Sequence, residues 1–139
     1  MVTLKSPAEI EIMAEGGRRL GLILKALRKE TKAGITTDFL DQLSFKLIKE
    51  SDSKPAFLGY SQGGQKTFPK TLCASVNDVV VHGLPSGYVL KKGDLVKLDL
   101  GLIYSGFYLD SAITVGIEPI SHSAQKLIHA TEEALTLGI

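Results

Sequence analysis

The stretch LVKLDLGLIYSGFYLDSAITV, residues 95–115, decides the fold. Val96, Leu98, Leu100 and Leu102 alternate onto one face of an extended segment, which ends at Ser105-Gly106, a dipeptide suited to a two-residue hairpin turn. A second run rich in β-branched and aromatic residues covers 107–115, so the pattern predicts a long antiparallel hairpin. With that turn, position 104 pairs with 107, 99 with 112 and 110 with 101. Asp99 then lies on the face opposite the leucines, and Asp110 joins it there as a diagonal neighbour, with Cα atoms about 7–8 Å apart and side chains able to converge. The small residues Gly101 and Ala112 beside them leave an open floor.

Two converging carboxylates in a mostly apolar sheet repel each other and lose hydration unless a cation or a shared proton compensates. A divalent metal is the simplest compensation, and two ions about 3.5–4 Å apart could be bridged by one carboxylate while the other chelates a single ion. The alternative is a pair of solvated aspartates on a half-exposed sheet. His82, in VVVHGLP (79–85), follows an apolar run and precedes a Gly/Pro turn. From there it can look into a cleft or serve as a structural histidine. His122 and His129 read as surface residues, and Cys73 has no evident base partner, which speaks against a thiol nucleophile. No Gly-x-Ser-x-Gly elbow occurs, and no phosphate-binding glycine pattern stands at a strand-to-helix turn. The polar, Gly-rich loop 61–67 reads as a mobile connection rather than a phosphate cradle.

Outward from the hairpin, Ser6-Pro7-Ala8-Glu9 has the form of a capping box with proline at the first helical position, opening a helix to about residue 29. Ile12, Leu20, Ile23, Leu24 and Leu27 supply its apolar stripe, and Gly16-Gly17 marks either a close crossing or a tolerated surface pair. Thr36 or Thr37 caps a second helix to about residue 50, with Phe39, Leu40, Leu43, Leu47 and Ile48 inward. Further strands are expected at 56–59, 71–76 and 79–81, and a last helix at 121–137. Under a shift of 116 positions that helix faintly echoes the first, with Ala8, Ile12, Ala14 and Ile23 falling on Ala124, Ile128, Ala130 and Ile139. A second copy of the unit could begin there. The fold class is α+β, an antiparallel sheet with helices packed on one face.

The 139 residues suffice for one domain with its own core. Sixteen Lys and Arg against fifteen Asp and Glu leave a formal charge of +1, with no basic run to attract nucleic acid or an anionic membrane. One cysteine excludes an intramolecular disulfide framework. An acidic N-terminal segment and the lack of any run of about 18 apolar residues complete the expectation of a soluble, cytoplasmic protein.

The segments FPKTLCASVNDVVVHGLP (68–85) and KKGDLVKLDLGLIYSGFYLDSAITVG (91–116), preceded by SPAEIEIMAEGGRRLG and KAGITTDFLDQL, resemble type I methionine aminopeptidases of the pita-bread metallopeptidase family. The resemblance covers essentially all of residues 1–139 and implies the N-terminal half of a two-halved fold that clasps two divalent metal ions, whether cobalt, manganese, iron or zinc. It implies removal of the initiator methionine from methionyl peptides or nascent chains. On the family's motifs, Asp99 matches the aspartate that chelates one metal, Asp110 the one that bridges both, and His82 a substrate-contacting catalytic histidine. Tyr60, Phe68 and Cys73 match the wall of the methionine pocket. The family's three other ligands, one His and two Glu, belong to the second half; Glu132 and Glu133 match neither glutamate. The loop between Tyr60 and Phe68 is longer than is usual in the family. The resemblance therefore implies an enzyme that needs a C-terminal half, with pairing of two identical chains as a further expectation. A non-catalytic interaction module built on half of this fold and a proline-specific relative are the competing readings.

Overall fold

A computed structural model of the chain describes residues 4–61 and 66–139. Two helices come first, α1 (Pro7–Glu30) and α2 (Thr37–Glu50), then four strands, β1 (Lys54–Pro55), β2 (Leu72–Val76), β3 (Leu95–Tyr104) and β4 (Phe107–Gly116), and a final helix α3 (His122–Gly138). The expected capping box forms: Glu9 N–H donates to the Ser6 hydroxyl, and the Glu9 carboxylate accepts from Ser6 N–H at 2.7 Å. Thr36 caps α2 by accepting from Phe39 N–H at its hydroxyl.

β3 is the central strand. β4 pairs along its whole length on one edge, while β2 and β1 share the other, all antiparallel. Ser105 (φ 46°) and Gly106 (φ 87°) both take left-handed conformations, as a type I′ turn requires, and the register follows: Asp99 opposite Ala112, Gly101 opposite Asp110. Leu72, Ala74, Val96, Leu98, Leu100, Leu102 and Val115 face α1 and α2 and close a core with Leu20, Ile23, Leu24, Leu27, Leu40 and Ile48. Burying a leucine or isoleucine side chain contributes about 1.5–3 kcal/mol, so this shared face holds the layers together.

Gly16 marks a close crossing, because a Cβ there would lie 2.7 Å from Leu109 Cδ2, whereas Gly17 faces open space. Arg19 ties the helical layer to the hairpin: its guanidinium stacks 4.1 Å from the Tyr104 ring centroid, pairs with Glu15, and donates to the Ser51 carbonyl. Buried Asp94 organises the approach to β3, accepting hydrogen bonds from Asn77 Nδ2, Tyr88 OH and Lys91 N–H.

Several expectations need correction. Residues 79–81 are not a strand: the chain turns at Asn77 (φ 51°), and Val79, Val80 and Val81 lie exposed in a loop. Nor are residues 56–59 a strand; pairing ends at Pro55, and Gly59 (φ 81°) turns the chain away. Phe39 is exposed rather than inward. The helix α3 buries none of its residues, so among the described residues α1 and α2 cover the helical face of the sheet. The expectation for loop 61–67 falls in part on residues 62–65, outside the described ones. No helix among the described residues is long and apolar enough to cross a membrane.

Candidate metal centre

The site lies on the face of the sheet that the helices leave uncovered. Alternation along β3 and β4 sends Asp99 and Asp110 there, and β2 adds Cys73 directly opposite Asp99. Two loops wall this face. The first leaves β1 through Phe57 and Tyr60 and returns at Phe68, fastened where Phe68 N–H donates to the Tyr60 carbonyl at 2.8 Å and Gly59 N–H to the Phe68 carbonyl at 2.8 Å. Phe57 and Phe68 meet edge to face, with centroids 6.4 Å apart. The second loop follows β2 and carries His82. Between them is a cavity of ≈ 610 Å³. Tyr60, Phe68, Cys73, His82, Asp99 and Asp110, the six residues singled out in the sequence, all line it.

His82 is held at φ 57°, in the left-handed region that residues other than glycine enter uncommonly. Gly83 fixes it. The Gly83 carbonyl accepts from Ala74 N–H at 2.9 Å, and its N–H donates to the Ser75 hydroxyl at 3.0 Å. The loop is thereby laid against β2 so closely that a Cβ on Gly83 would stand 2.6 Å from the Ala74 carbonyl oxygen.

The carboxyl of Asp99 is pushed up to about 6, first by burial, then by the negative charge of Asp110 and a hydrogen bond with it, with His82 pulling the other way. The two carboxyl groups therefore converge as the register requires. Cys73, buried beneath them, is pushed up to about 12 by burial and by the charges of both aspartates, so it is a neutral thiol and not a nucleophile. The donor set suits a hard or borderline divalent cation in kind, with carboxylate oxygens held together at an energetic cost that positive charge relieves. It is short in number, since no group of three or more metal-ligating side chains occurs among the described residues.

Sequence reasoning missed Phe57, and the floor beside Asp110 is not open: a Cβ on Gly101 would come within 2.7 Å of Phe57 Cε1, so the missing side chain is the seat of that ring. Leu84, Thr67 and Lys66 also line the cavity without having been singled out. A glycine interrupting a strand otherwise built of leucines was the available signal for Phe57.

The burial of Asp99 and the charge of Asp110 beside it have a measurable consequence. The unfolded Asp99 titrates near 3.8 and the folded one near 6, so between these values the native state binds the proton more tightly and stability falls as pH rises. Two units correspond to about 3 kcal/mol, and partial solvent exposure reduces this to about 1 kcal/mol. In metal-free buffer with a chelator, Asp99→Asn is expected to be more stable than the wild type by that amount at pH 7 and equal to it at pH 4, as read from urea melts. An equal gap at both pH values would show that the two carboxylates are not in conflict.

The profile of metallopeptidase family M24 matches residues 11–139. The chain is 41% identical over 139 residues to a methionine aminopeptidase of Clostridium perfringens and 40% identical to methionine aminopeptidase 1 of Bacillus subtilis, covering all of this chain and 54% of each relative. Among solved structures, methionine aminopeptidase from Thermotoga maritima superposes over the whole chain with a TM-score of 0.88 at 38% identity, again over 54% of its length. Prolidase from Pyrococcus furiosus shares the fold, with a TM-score of 0.79 at 22% identity. The chain thus spans about half the length of the curated relatives it matches.

Proposed function

The chain belongs to metallopeptidase family M24, and from that premise we propose that residues 1–139 form the N-terminal half of a methionine aminopeptidase, in which Asp99 and Asp110 hold the divalent metals. The fold is the α+β, pita-bread type of its structural neighbours, over about half of their length. The observation that supports the reading is a single cavity lined both by the two aspartates and by Tyr60, Phe68 and Cys73.

Each residue has a role that its surroundings suit. Tyr60 and Phe68, with Phe57 behind them, offer aromatic faces to an unbranched thioether side chain, a favourable pairing of sulfur with aromatic rings. Cys73, a neutral thiol, adds a small apolar surface without a competing charge. Asp99 and Asp110 would hold the divalent metals, whose chemistry there would be to polarise the scissile carbonyl and to activate a water. His82, held by Gly83 at the rim, would orient the peptide and donate a proton to the departing amine. The remaining ligands are to be supplied by the part of the relatives' length that this chain does not span. The metal is cobalt, manganese, iron or zinc, the substrates are N-terminal methionyl peptides or nascent chains, and the setting is the cytoplasm.

The test is methionine release from Met-Ala-Ser. The chain alone is expected to show no turnover with any of the four metals, and turnover is expected when a complementary C-terminal half is co-expressed with it. Absence of turnover in the assembled pair, with metal bound, would favour the non-catalytic interaction module.

A further inference from the structure

Lys66, two residues before Phe68, lines the cavity, and the proposed reaction assigns it no role. Lys66 is the only lysine or arginine among the described residues lining it, and the two aspartates line the same cavity. Lys66 pairs with neither of them, nor does it form an ion pair or hydrogen bond with any other described residue. Two residues further on, Phe68 is fastened to Tyr60 and Gly59 by two backbone hydrogen bonds of 2.8 Å and meets Phe57 edge to face. An ammonium with no partner, held on a cavity that also contains an acidic pair, makes that cavity a dipolar receptor.

We propose that Lys66 is a specificity-determining residue that recognises a carboxylate one or two residues beyond the first residue of a bound methionyl peptide. This rests on the reading of the cavity as a methionyl-peptide site. A peptide whose first side chain fills the aromatic enclosure, with its free amine at the aspartates, would present its following residues to the rest of the lining, in which Lys66 is the one cation among the described residues. Favourable charge there takes two forms, the terminal carboxylate of a short peptide or an acidic side chain in a longer one, and both present the same group to the ammonium. Because Lys66 is exposed, the pair is worth the modest amount typical of solvated ions, roughly a two- to fivefold preference, and it weakens with salt.

The experiment is equilibrium binding by calorimetry to the 139-residue chain co-expressed with its complementary half and stripped of metal, which needs no turnover. The probes are Met-Ala-Ser with a free carboxylate, its C-terminal amide, and Met-Ala-Glu amide. Wild type is expected to bind one or both carboxylate-bearing peptides roughly two- to fivefold more tightly than Met-Ala-Ser amide. In Lys66→Gln that preference should vanish while affinity for the amide is unchanged, and in Lys66→Glu it should reverse. If the acid tripeptide alone is preferred, the group read is a terminal carboxylate; if Met-Ala-Glu amide is preferred as well, an acidic side chain is also read. Equal affinity for all three peptides in wild type and both variants would overturn the role of Lys66 and leave the methionyl-peptide reading intact. Saturable binding of none of them would overturn both.

Discussion

Asp110→Ala is expected to reduce methionine release by the chain assembled with its complementary half roughly a thousandfold, through lost metal rather than lost fold. The residue lies on β4 opposite Gly101, is exposed at its own position, and takes no part in the core that Leu98, Leu100 and Leu102 build on the other face. Its removal therefore leaves the sheet intact and takes away the charge that, after burial, raises Asp99. What it takes away is half of the carboxylate pair. Metal assistance to carbonyl hydrolysis supplies several kcal/mol of barrier reduction, and each 1.36 kcal/mol is tenfold in rate, which gives about three powers of ten. The measurements are kcat/KM for Met-Ala-Ser together with metal content by emission spectroscopy and a thermal melt. A variant that melts at or above the wild-type temperature, binds less metal and has lost turnover fits the assignment. Retained turnover at wild-type metal content would remove Asp110 from the site.

How much of this was readable in advance depends on how local the determining physics is. The hairpin was legible to the residue because its register depends on a two-residue turn, where Ser105 and Gly106 both have positive φ, and on a period of two that leaves no other way to bury Val96, Leu98, Leu100 and Leu102. That register alone brings Asp99 and Asp110 together. The helix starts were legible for the same reason, since Ser6 and Thr36 act within three residues of themselves. The run Val79-Val80-Val81 was misleading because strand propensity reports fit to a half-buried surface, and after the turn at Asn77 no neighbouring strand offers one. Phe57 was missed because its seat is the missing Cβ of Gly101 forty-four positions away, and a glycine in a strand marks room without naming the ring that fills it. α3 kept the amphipathic pattern of a packed helix, yet nothing among the described residues buries it. The pattern states which face wants cover, not which element provides it.

The placement of His82 gives a second large expected effect, from a residue that carries no functional group. Gly83→Ala adds one methyl whose carbon would stand 2.6 Å from the Ala74 carbonyl oxygen and 2.7 Å from Ser75 Cα. Both obstacles are backbone of β2, which is paired to β3 from Leu72 through Val76 and cannot yield without breaking that ladder. The loop must move instead. It would lose the hydrogen bonds between Ala74 N–H and the Gly83 carbonyl and between Gly83 N–H and the Ser75 hydroxyl, and with them the restraint that keeps His82 at φ 57°. Overpacking of this kind costs about 1–3 kcal/mol, and release of a strained conformation offsets part of it. Activity should suffer more than stability, because misplacing a proton donor by about 1 Å costs on the order of a hundredfold in rate. In the assembled enzyme, Gly83→Ala is therefore expected to lower kcat about a hundredfold while leaving metal content unchanged, since Asp99 and Asp110 sit on strands the substitution does not touch. His82→Ala is the comparison that separates position from chemistry. If His82 acts where Gly83 puts it, the two variants should have similar kcat values and the double variant should be no worse than either. Independent, multiplying losses would mean that Gly83 supports something in the cavity other than His82.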